Sequence, residues 1–174
     1  DGKATAGPLA RQIKNNLQIA GSNMAGREAG GIVTNALVTQ SGFSQATRPK
    51  TISSALFSRY ETGMAYGEHL DNPLMVVDKS IFRADVAVTV FLTNPSEYDG
   101  GELVINSDGA VQAIKLNAGD AVAYPATYLH RVNPITRGAR MAAVLWVQSM
   151  IPDSNQRQLL FEFAMSVQRL EQTS

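Results

Sequence analysis

Three stretches of the chain repeat apolar residues at helical spacing. In residues 9–19 this spacing gives way to an apolar–polar alternation, which predicts a short helix followed by a strand. In residues 24–40 an apolar face recurs despite two adjacent glycines, which predicts an amphipathic helix on the outside of a sheet. Residues 155–171 show the same spacing, so we expect a closing helix capped by Asp153 or Ser154.

The centre of the chain is predicted to form strands. Residues 51–60 read as one extended strand that leads towards His69. Residues 72–83 contain Pro73 and mixed charges, so we expect a mobile, irregular loop at the substrate entrance. Further strands are predicted over residues 86–93, 102–106, 110–116, 121–124, 129–132 and 139–148. Many short strands at close spacing are typical of an all-β sandwich, jelly roll or barrel.

Composition narrows the classes of function. The 174 residues are enough for one domain with a core of its own. The 15 basic and 15 acidic residues cancel, which argues against nucleic acid or an anionic membrane as a partner. The chain has no cysteine, which fits a cytoplasmic setting, and it has no apolar run long enough for a membrane span. No signal peptide is visible, and the chain opens on Asp1, so we expect it to be a fragment without its first segment.

Both histidines of the chain lie in predicted strands. His69 and Asp71 are two residues apart, so in an extended strand their side chains share a face and can hold one ion. A jelly roll brings strands distant in sequence together, so a late strand can deliver His130 beside them. Two histidines and one carboxylate are the ligand set of non-haem Fe(II) oxygenases. An H-x-D motif also occurs by chance, and each histidine could instead be a hydrogen-bonded core or surface residue.

Four other side chains are candidates for co-substrate or substrate binding. Arg140 follows His130 by ten residues, and a buried guanidinium there would grip a distal carboxylate in a bidentate fork. An exposed or ion-paired strand arginine is the alternative. Tyr60 and Tyr66 precede the metal pair, either as pocket walls whose phenols form hydrogen bonds or as core aromatics. Thr89 could add a hydroxyl from a neighbouring strand.

Three longer segments carry a family resemblance. They read RYETGMAYGEHLDN from Arg59, RADVAVTVFLTNPSEYDGGEL from Arg83, and GDAVAYPATYLHRVNPITRGARMAAVLWVQSMI from Gly119. Together they resemble the prolyl/lysyl-hydroxylase-type iron and 2-oxoglutarate dioxygenases, and in particular the bacterial PKHD-type hydroxylases. KNNLQI near the start and the final helix also fit, so the resemblance covers most of the chain.

The resemblance implies a mainly β fold with flanking helices, namely a double-stranded β-helix or jelly roll in a single domain over residues 1–174. We expect its boundaries at about 1–50 for a helix-rich part, about 51–150 for the core and about 154–171 for a C-terminal helix. It implies Fe(II) held by His69, Asp71 and His130, and 2-oxoglutarate anchored by Arg140. The implied reaction hydroxylates a substrate C–H bond and converts 2-oxoglutarate to succinate. We also expect ascorbate as a reductant and a small-molecule or peptidyl substrate.

One position departs from the family pattern. In related animal prolyl hydroxylases a strand tyrosine near Phe91 helps to hold the distal carboxylate, and phenylalanine has no hydroxyl. The partner of Arg140 is therefore open. Two other functions stay open as well: a cupin-like metalloenzyme that does not use 2-oxoglutarate, and a non-catalytic binding module or sensor of iron or 2-oxoglutarate.

Overall fold

The computed structural model describes residues 2–5, 10–19, 23–77, 80–107 and 109–172. Leu9, where the first predicted helix begins, lies outside the described residues, as do residues 78–79 of the predicted loop. The helices are α1 (Ala10–Ile13), α2 (Met24–Val38), α3 (Ser41–Thr47) and α4 (Ser154–Gln172), with 3-10 turns at Gly2–Thr5 and Pro95–Glu97. The strands are β1 (Lys14–Asn15), β2 (Leu17–Ile19), β3 (Pro49–Ile52), β4 (Leu56–Glu61), β5 (Ala65–His69), β6 (Leu74–Val77), β7 (Ser80–Arg83), β8 (Val86–Phe91), β9 (Tyr98–Gly100), β10 (Leu103–Ser107), β11 (Ala110–Ile114), β12 (Ala121–Pro125), β13 (Leu129–Val132) and β14 (Ile135–Ser149).

Two antiparallel sheets form the body of the molecule. The five-strand sheet has the order β1-β5-β13-β10-β11, and the seven-strand sheet has the order β12-β8-β14-β4-β2, with β3 and β9 also paired to β14. Strands far apart in sequence are neighbours in both sheets, as in the pairs β5–β13 and β8–β14. This is the double-stranded β-helix, or jelly roll, and the predicted fold class is confirmed.

Apolar residues fill two layers on either side of the seven-strand sheet. All six residues of β8 are buried, because one face of the strand packs between the sheets and the other packs under helices. Val88 and Leu145 on the outer face belong to the same core cluster as Leu37 of α2. The prediction that residues 24–40 form a helix on the outside of a sheet is therefore confirmed. A strand covered on both faces reads as a continuous apolar run, which is why β8 shows no alternation.

The predicted loop over residues 72–83 is wrong in its secondary structure. Strands β6 and β7 form an antiparallel hairpin there, with Met75 opposite Phe82. Phe82 is 3% exposed and belongs to the inner core, and Met75 packs against that core. The β-branched residues of the segment outweigh the turn signal of Pro73, because an apolar pair on one face of the hairpin can be buried against the sheets.

Other boundaries differ from the predictions in smaller ways. The single strand expected over residues 51–60 is split into β3 and β4, and α3 was not predicted at all. Strand β14 begins at Ile135, earlier than the predicted residue 139, because its first residues pair with β9.

The closing helix is present as α4, and its cap is Asp153, whose carboxylate accepts the backbone N–H of Gln156 at 2.9 Å. Its apolar stripe is largely exposed: Leu159 and Phe163 are each 67% exposed. No helix among the described residues is long and apolar enough to cross a membrane.

Candidate metal centre and co-substrate pocket

The register of the five-strand sheet brings the two histidines together. His69, the last residue of β5, lies directly opposite His130 of β13 in the antiparallel pair. Their rings are 4.3 Å apart between centroids. Asp71 follows two residues after His69, and one potential ligand atom from each of the three side chains lies within 4.8 Å of the others. The structure therefore places the three predicted ligands in one cluster, although Asp71 and His130 are 59 residues apart in the sequence.

Backbone carbonyls orient both imidazoles. Nδ1 of His69 lies 2.7 Å from the carbonyl oxygen of Gly67, and Nδ1 of His130 lies 3.0 Å from that of Tyr128. Because a carbonyl can only accept, each Nδ1 carries a proton, and in the neutral form of each ring Nε2 is the nitrogen with the free lone pair. Metal-binding histidines in proteins are commonly held in this way. Both rings are thus prepared to donate to a cation through Nε2.

An indole orients the carboxylate. Nε1 of Trp146 donates a hydrogen bond of 2.8 Å to Oδ2 of Asp71, while Oδ1 of Asp71 lies 3.8 Å from Nε2 of His130. One carboxylate oxygen is therefore held by the protein and the other faces the histidines. Trp146 was not among the predicted site residues. The signal available in the sequence was that it is the only tryptophan, and a buried indole N–H needs an acceptor.

Burial sets the protonation of the cluster. It lowers the pKa of His69 to about 4, and the neighbouring His130 adds to this effect. Burial raises the pKa of Asp71, which His130 and the Trp146 hydrogen bond partly oppose. In a neutral imidazole with its proton on Nδ1, Nε2 carries no proton for a metal ion to displace, so at neutral pH His69 is ready to bind.

Arg140 lies inside the jelly roll and not on its surface. It is 1% exposed, and its Nε and Nη2 have no hydrogen-bond partner among the described residues. None of the ion pairs among the described residues involves it. Burial lowers the pKa of its guanidinium, and the phenols of Tyr60 and Tyr98 hold that pKa up. Burying a cation with two unbonded N–H donors costs free energy, unless an anion binds to those donors and neutralises the charge.

Aromatic rings surround the Arg140 guanidinium. Its carbon lies 5.1 Å from the centroid of the Phe91 ring and 5.7 Å from that of Tyr60. Phe91 has no hydroxyl to offer a ligand, but the face of its ring contacts the Arg140 guanidinium. The buried hydroxyl of Tyr98 lies close enough to the guanidinium to hold the pKa of Arg140 up, but it makes no hydrogen bond of good geometry with any described residue. Tyr98 was not predicted as a site residue.

Gly101 makes room for this arrangement, since a Cβ at that position would lie 3.2 Å from Cδ of Arg140. Its backbone φ of +68° is also one that glycine tolerates.

The metal cluster and Arg140 line one cavity of about 670 Å³. The other predicted residues line it too: Tyr60 lies opposite Arg140 across β4 and β14, and Thr89 lies opposite Val144 across β8 and β14. The ring of Tyr66 stacks on His69 with centroids 3.6 Å apart. The Thr89 hydroxyl lies beside the phenol of Tyr124. Burial raises the pKa of that phenol, and the hydrogen bond with Thr89 opposes part of the rise.

Comparisons with known proteins agree with this geometry. The family model described as the 2OG-Fe(II) oxygenase superfamily matches residues 55–148. The chain is 42% identical over 172 residues to a PKHD-type hydroxylase of Delftia acidovorans, covering 98% of this chain and 76% of that protein. It is 47% identical over 174 residues to one of Synechococcus sp., covering 100% of this chain and 78% of that protein.

Solved structures show the same fold at low sequence identity. A prolyl-4-hydroxylase of Pseudomonas putida matches with a TM-score of 0.55 and 20% identity, covering 83% of this chain and 78% of that one. A prolyl hydroxylase of Trichoplax adhaerens, in complex with a hypoxia inducible factor peptide fragment, matches with a TM-score of 0.59 and 19% identity. The match covers 84% of this chain and 67% of that one. The chain therefore belongs to the 2OG-Fe(II) oxygenase superfamily, among its PKHD-type hydroxylases, and is an oxidoreductase.

Proposed function

We propose that the protein hydroxylates a substrate C–H bond at an Fe(II) held by His69, Asp71 and His130, with conversion of 2-oxoglutarate to succinate. The observation that carries this proposal is a single cavity with the three-residue cluster in one part and the incompletely bonded Arg140 in another. Bound Fe(II) and 2-oxoglutarate would supply the oxidising chemistry, in which O2 and the 2-oxo acid are consumed and CO2 is released.

The residues of the cluster fit Fe(II). Two neutral imidazoles and one carboxylate on one side of a cation are the facial set used by non-haem Fe(II) oxygenases. Both Nε2 atoms are available because Nδ1 is bonded to a carbonyl in each ring. Three protein ligands leave the remaining positions for the co-substrate and O2, so the role of this chain is to orient the metal and keep one side open.

The far end of the cavity fits a carboxylate. We propose that Arg140 binds the distal carboxylate of 2-oxoglutarate through the donors that have no protein partner, Nε and Nη2. Tyr98 would add a hydroxyl, in place of the one that Phe91 lacks. Tyr60, whose pKa burial raises to about 12, stays protonated at neutral pH and can donate from the adjacent strand. Thr89 supports the pocket through Tyr124.

The test begins with binding and proceeds to turnover. Purified anaerobically, the protein should bind one Fe(II) per chain, and His69→Ala and His130→Ala should each abolish tight binding. Glu68→Ala, which changes the exposed neighbour of His69, is the matched control and should leave iron binding intact. Unchanged iron affinity in both histidine variants would refute the assignment of the cluster.

Succinate release then separates an enzyme from a sensor. Oxygen should be consumed and succinate should form when candidate substrates are added, and neither should occur in the His69→Ala variant. A protein that binds Fe(II) and 2-oxoglutarate but releases little succinate with any substrate would be a sensor. A protein that binds the metal but not 2-oxoglutarate would support the cupin-like alternative.

Ascorbate as reductant, a cytoplasmic location, the absence of a nucleic-acid or membrane partner, and the single-domain boundaries stay predictions. Stimulation of turnover by ascorbate, with no change in the ratio of succinate to hydroxylated product, would support the first of these.

A further inference from the structure

The KNNLQI segment links the two sheets, and the function proposed above gives its central residue no role. Lys14 of β1 lines the cavity and pairs with Tyr66 in the five-strand sheet, whereas Leu17 of β2 pairs with Arg59 in the seven-strand sheet. Asn16 is the single residue between these two strands, and it is 3% exposed. Buried polar side chains are normally hydrogen-bonded, so the contacts of this amide need an explanation.

The register of β2 on β4 places Asn16 against Tyr60. Gln18 lies opposite Ser58 in this antiparallel pair, and both residues line the cavity. Asn16 and Tyr60 come next on the same face, because alternate residues of a strand share a face. Tyr60 lines the cavity, but Asn16 is not among the described residues that do. The Asn16 amide therefore adjoins the Tyr60 side chain without itself lining the cavity.

The contact between the Asn16 amide and the Tyr60 phenol is close but poorly aligned. Burial raises the pKa of the phenol to about 12, and Arg140 and then the Asn16 amide oppose part of this rise. Yet Nδ2 and Oδ1 of Asn16 make no hydrogen bond of good geometry with any described residue. Hydrogen bonds in catalytic sites are often long or poorly aligned until the ligands bind. The contact thus fits a bond that becomes well aligned once a ligand fixes the phenol.

A glycine at the start of the chain shapes the space around this amide. Gly2 donates its backbone N–H to the carbonyl oxygen of Asn16 at 2.8 Å, and a Cβ at Gly2 would overlap Oδ1 of Asn16. The first 3-10 turn therefore packs directly on the amide. With Oδ1 turned towards Gly2, Nδ2 is the group of the amide that can donate to Tyr60.

We propose that Asn16 is a positioning residue, whose Nδ2–H donates to the hydroxyl oxygen of Tyr60 and thereby directs the Tyr60 O–H at the distal carboxylate of 2-oxoglutarate. A hydroxyl donates one proton and accepts through its oxygen. When Asn16 occupies that oxygen, the proton is left for the cavity. Tyr60 lies directly opposite Arg140, which is proposed to bind the same carboxylate. The inference rests on the function proposed above and adds a residue to the same co-substrate pocket.

Two other roles of Asn16 predict different behaviour. If Asn16 only joins the two sheets, its replacement lowers the free energy of unfolding and affects all 2-oxo acids alike. If its amide binds 2-oxoglutarate directly, its loss weakens binding whether or not Tyr60 has a hydroxyl. A test that separates these roles varies the Tyr60 hydroxyl and the distal carboxylate together with Asn16.

The experiment uses the whole chain loaded with Co(II) in place of Fe(II), so that 2-oxo acids bind without turnover. Calorimetry measures the affinity for 2-oxoglutarate and for 2-oxopentanoate, which lacks the distal carboxylate. Asn16→Leu replaces the amide by an apolar group of similar size, and should weaken 2-oxoglutarate binding by about 3- to 10-fold. Its affinity for 2-oxopentanoate should equal that of the parent.

A second measurement separates positioning from folding. In denaturant unfolding of the metal-free protein, Asn16→Leu should be at least as stable as the parent, because two buried polar atoms without well-aligned partners are removed. Asn16→Ala, which adds no bulk, repeats the binding test if the leucine variant does not fold. Asn15→Leu is the matched control, since Asn15 is the neighbouring asparagine but is exposed on β1. This control should bind both 2-oxo acids as the parent does.

The Tyr60 hydroxyl provides the decisive comparison. Tyr60→Phe should weaken 2-oxoglutarate binding by about 10- to 100-fold, because it removes a hydrogen bond to a charged group. Adding Asn16→Leu to Tyr60→Phe should cause no further loss, because no hydroxyl is left to orient.

Four outcomes would overturn the inference. They are an Asn16→Leu variant, or Asn16→Ala in its place, that binds 2-oxoglutarate as tightly as the parent, an equal loss of affinity for 2-oxopentanoate, a Tyr60→Phe variant that loses no affinity, and a further loss in the double variant. Failure of the proposed function is visible at an earlier step, because the parent itself would then not bind Co(II) and 2-oxoglutarate.

Discussion

Replacement of Arg140 tests the co-substrate pocket most directly. We expect Arg140→Met to lose 2-oxoglutarate affinity while it keeps the metal, because Arg140 lines the same cavity but is not one of the three clustered ligands and is not among the groups that shift the pKa of His69 or Asp71. Removal of one partner of a buried, hydrogen-bonded charge pair costs about 2–5 kcal/mol, which corresponds to roughly 30-fold to several thousand-fold in affinity. Arg140→Lys should recover only part of this, because an ammonium lacks the planar fork.

The same substitution should not destabilise the ligand-free protein. Nε and Nη2 of Arg140 have no hydrogen-bond partner in the described part of the chain, and a buried unsatisfied donor costs about 1–3 kcal/mol. An unbranched apolar side chain removes that cost and fills most of the same space among Phe91, Tyr60 and Tyr98. We therefore expect the free energy of unfolding of Arg140→Met to be equal to that of the parent or higher.

Calorimetry with 2-oxoglutarate on the Co(II) protein measures the first quantity, and denaturant unfolding of the metal-free protein measures the second. Arg137→Met is the matched control, since Arg137 lies on the same strand but is exposed and pairs with Asp99 at 2.6 Å. The parent should prefer 2-oxoglutarate over 2-oxopentanoate, which lacks the distal carboxylate, and Arg140→Met should not. A variant that binds 2-oxoglutarate as tightly as the parent, or one that is strongly destabilised, would show that Arg140 is structural.

Three further predictions concern the same cavity. Trp146→Phe removes the hydrogen bond to Asp71 and should weaken metal binding by about 10- to 100-fold with the fold retained; equal metal affinity in titrations would contradict this. Tyr98→Phe should weaken 2-oxoglutarate binding in calorimetry, and adding Phe91→Tyr should restore part of it; no loss in the single variant would show that the Tyr98 hydroxyl does not contribute to co-substrate binding. The depressed pKa of His69, about 4 against 6.5 in the unfolded chain, means that the unfolded state binds more protons between these values. The ligand-free protein should accordingly lose stability as the pH falls from about 6.5 to 4, and His69→Gln should reduce this loss in denaturant titrations; an unchanged pH dependence would place the effect elsewhere.

Local pattern determined helices α2 and α4, most strands and the choice of the candidate metal ligands. The apolar spacing of residues 24–40 and 155–171 is a property of the segment itself, and α2 and α4 lie close to the predicted bounds. The candidate metal ligands followed from composition, because only two histidines exist and one of them stands two residues from a carboxylate. The resemblance of three longer segments then led to the jelly roll and to Arg140.

The tertiary structure alone decided which side chains complete the site. Asp71 and Trp146 are 75 residues apart and meet only because the two sheets bring Trp146 of β14 and the residue that follows β5 to the same cavity. Lys14 enters the cavity through the register of an edge strand two residues long, which carries no periodicity of its own.

The errors have the same origin. The hairpin of β6 and β7 forms because Phe82 and Met75 find a core to pack against, and local turn signals contain no information about that core. The apolar stripe of α4 was correctly read as a helix, yet spacing alone does not say what the stripe packs against, and in the structure Leu159 and Phe163 stay exposed. A residue's own neighbourhood in sequence fixes its backbone preference, but burial, hydrogen-bond partner and charge environment depend on strands that pair across most of the chain length.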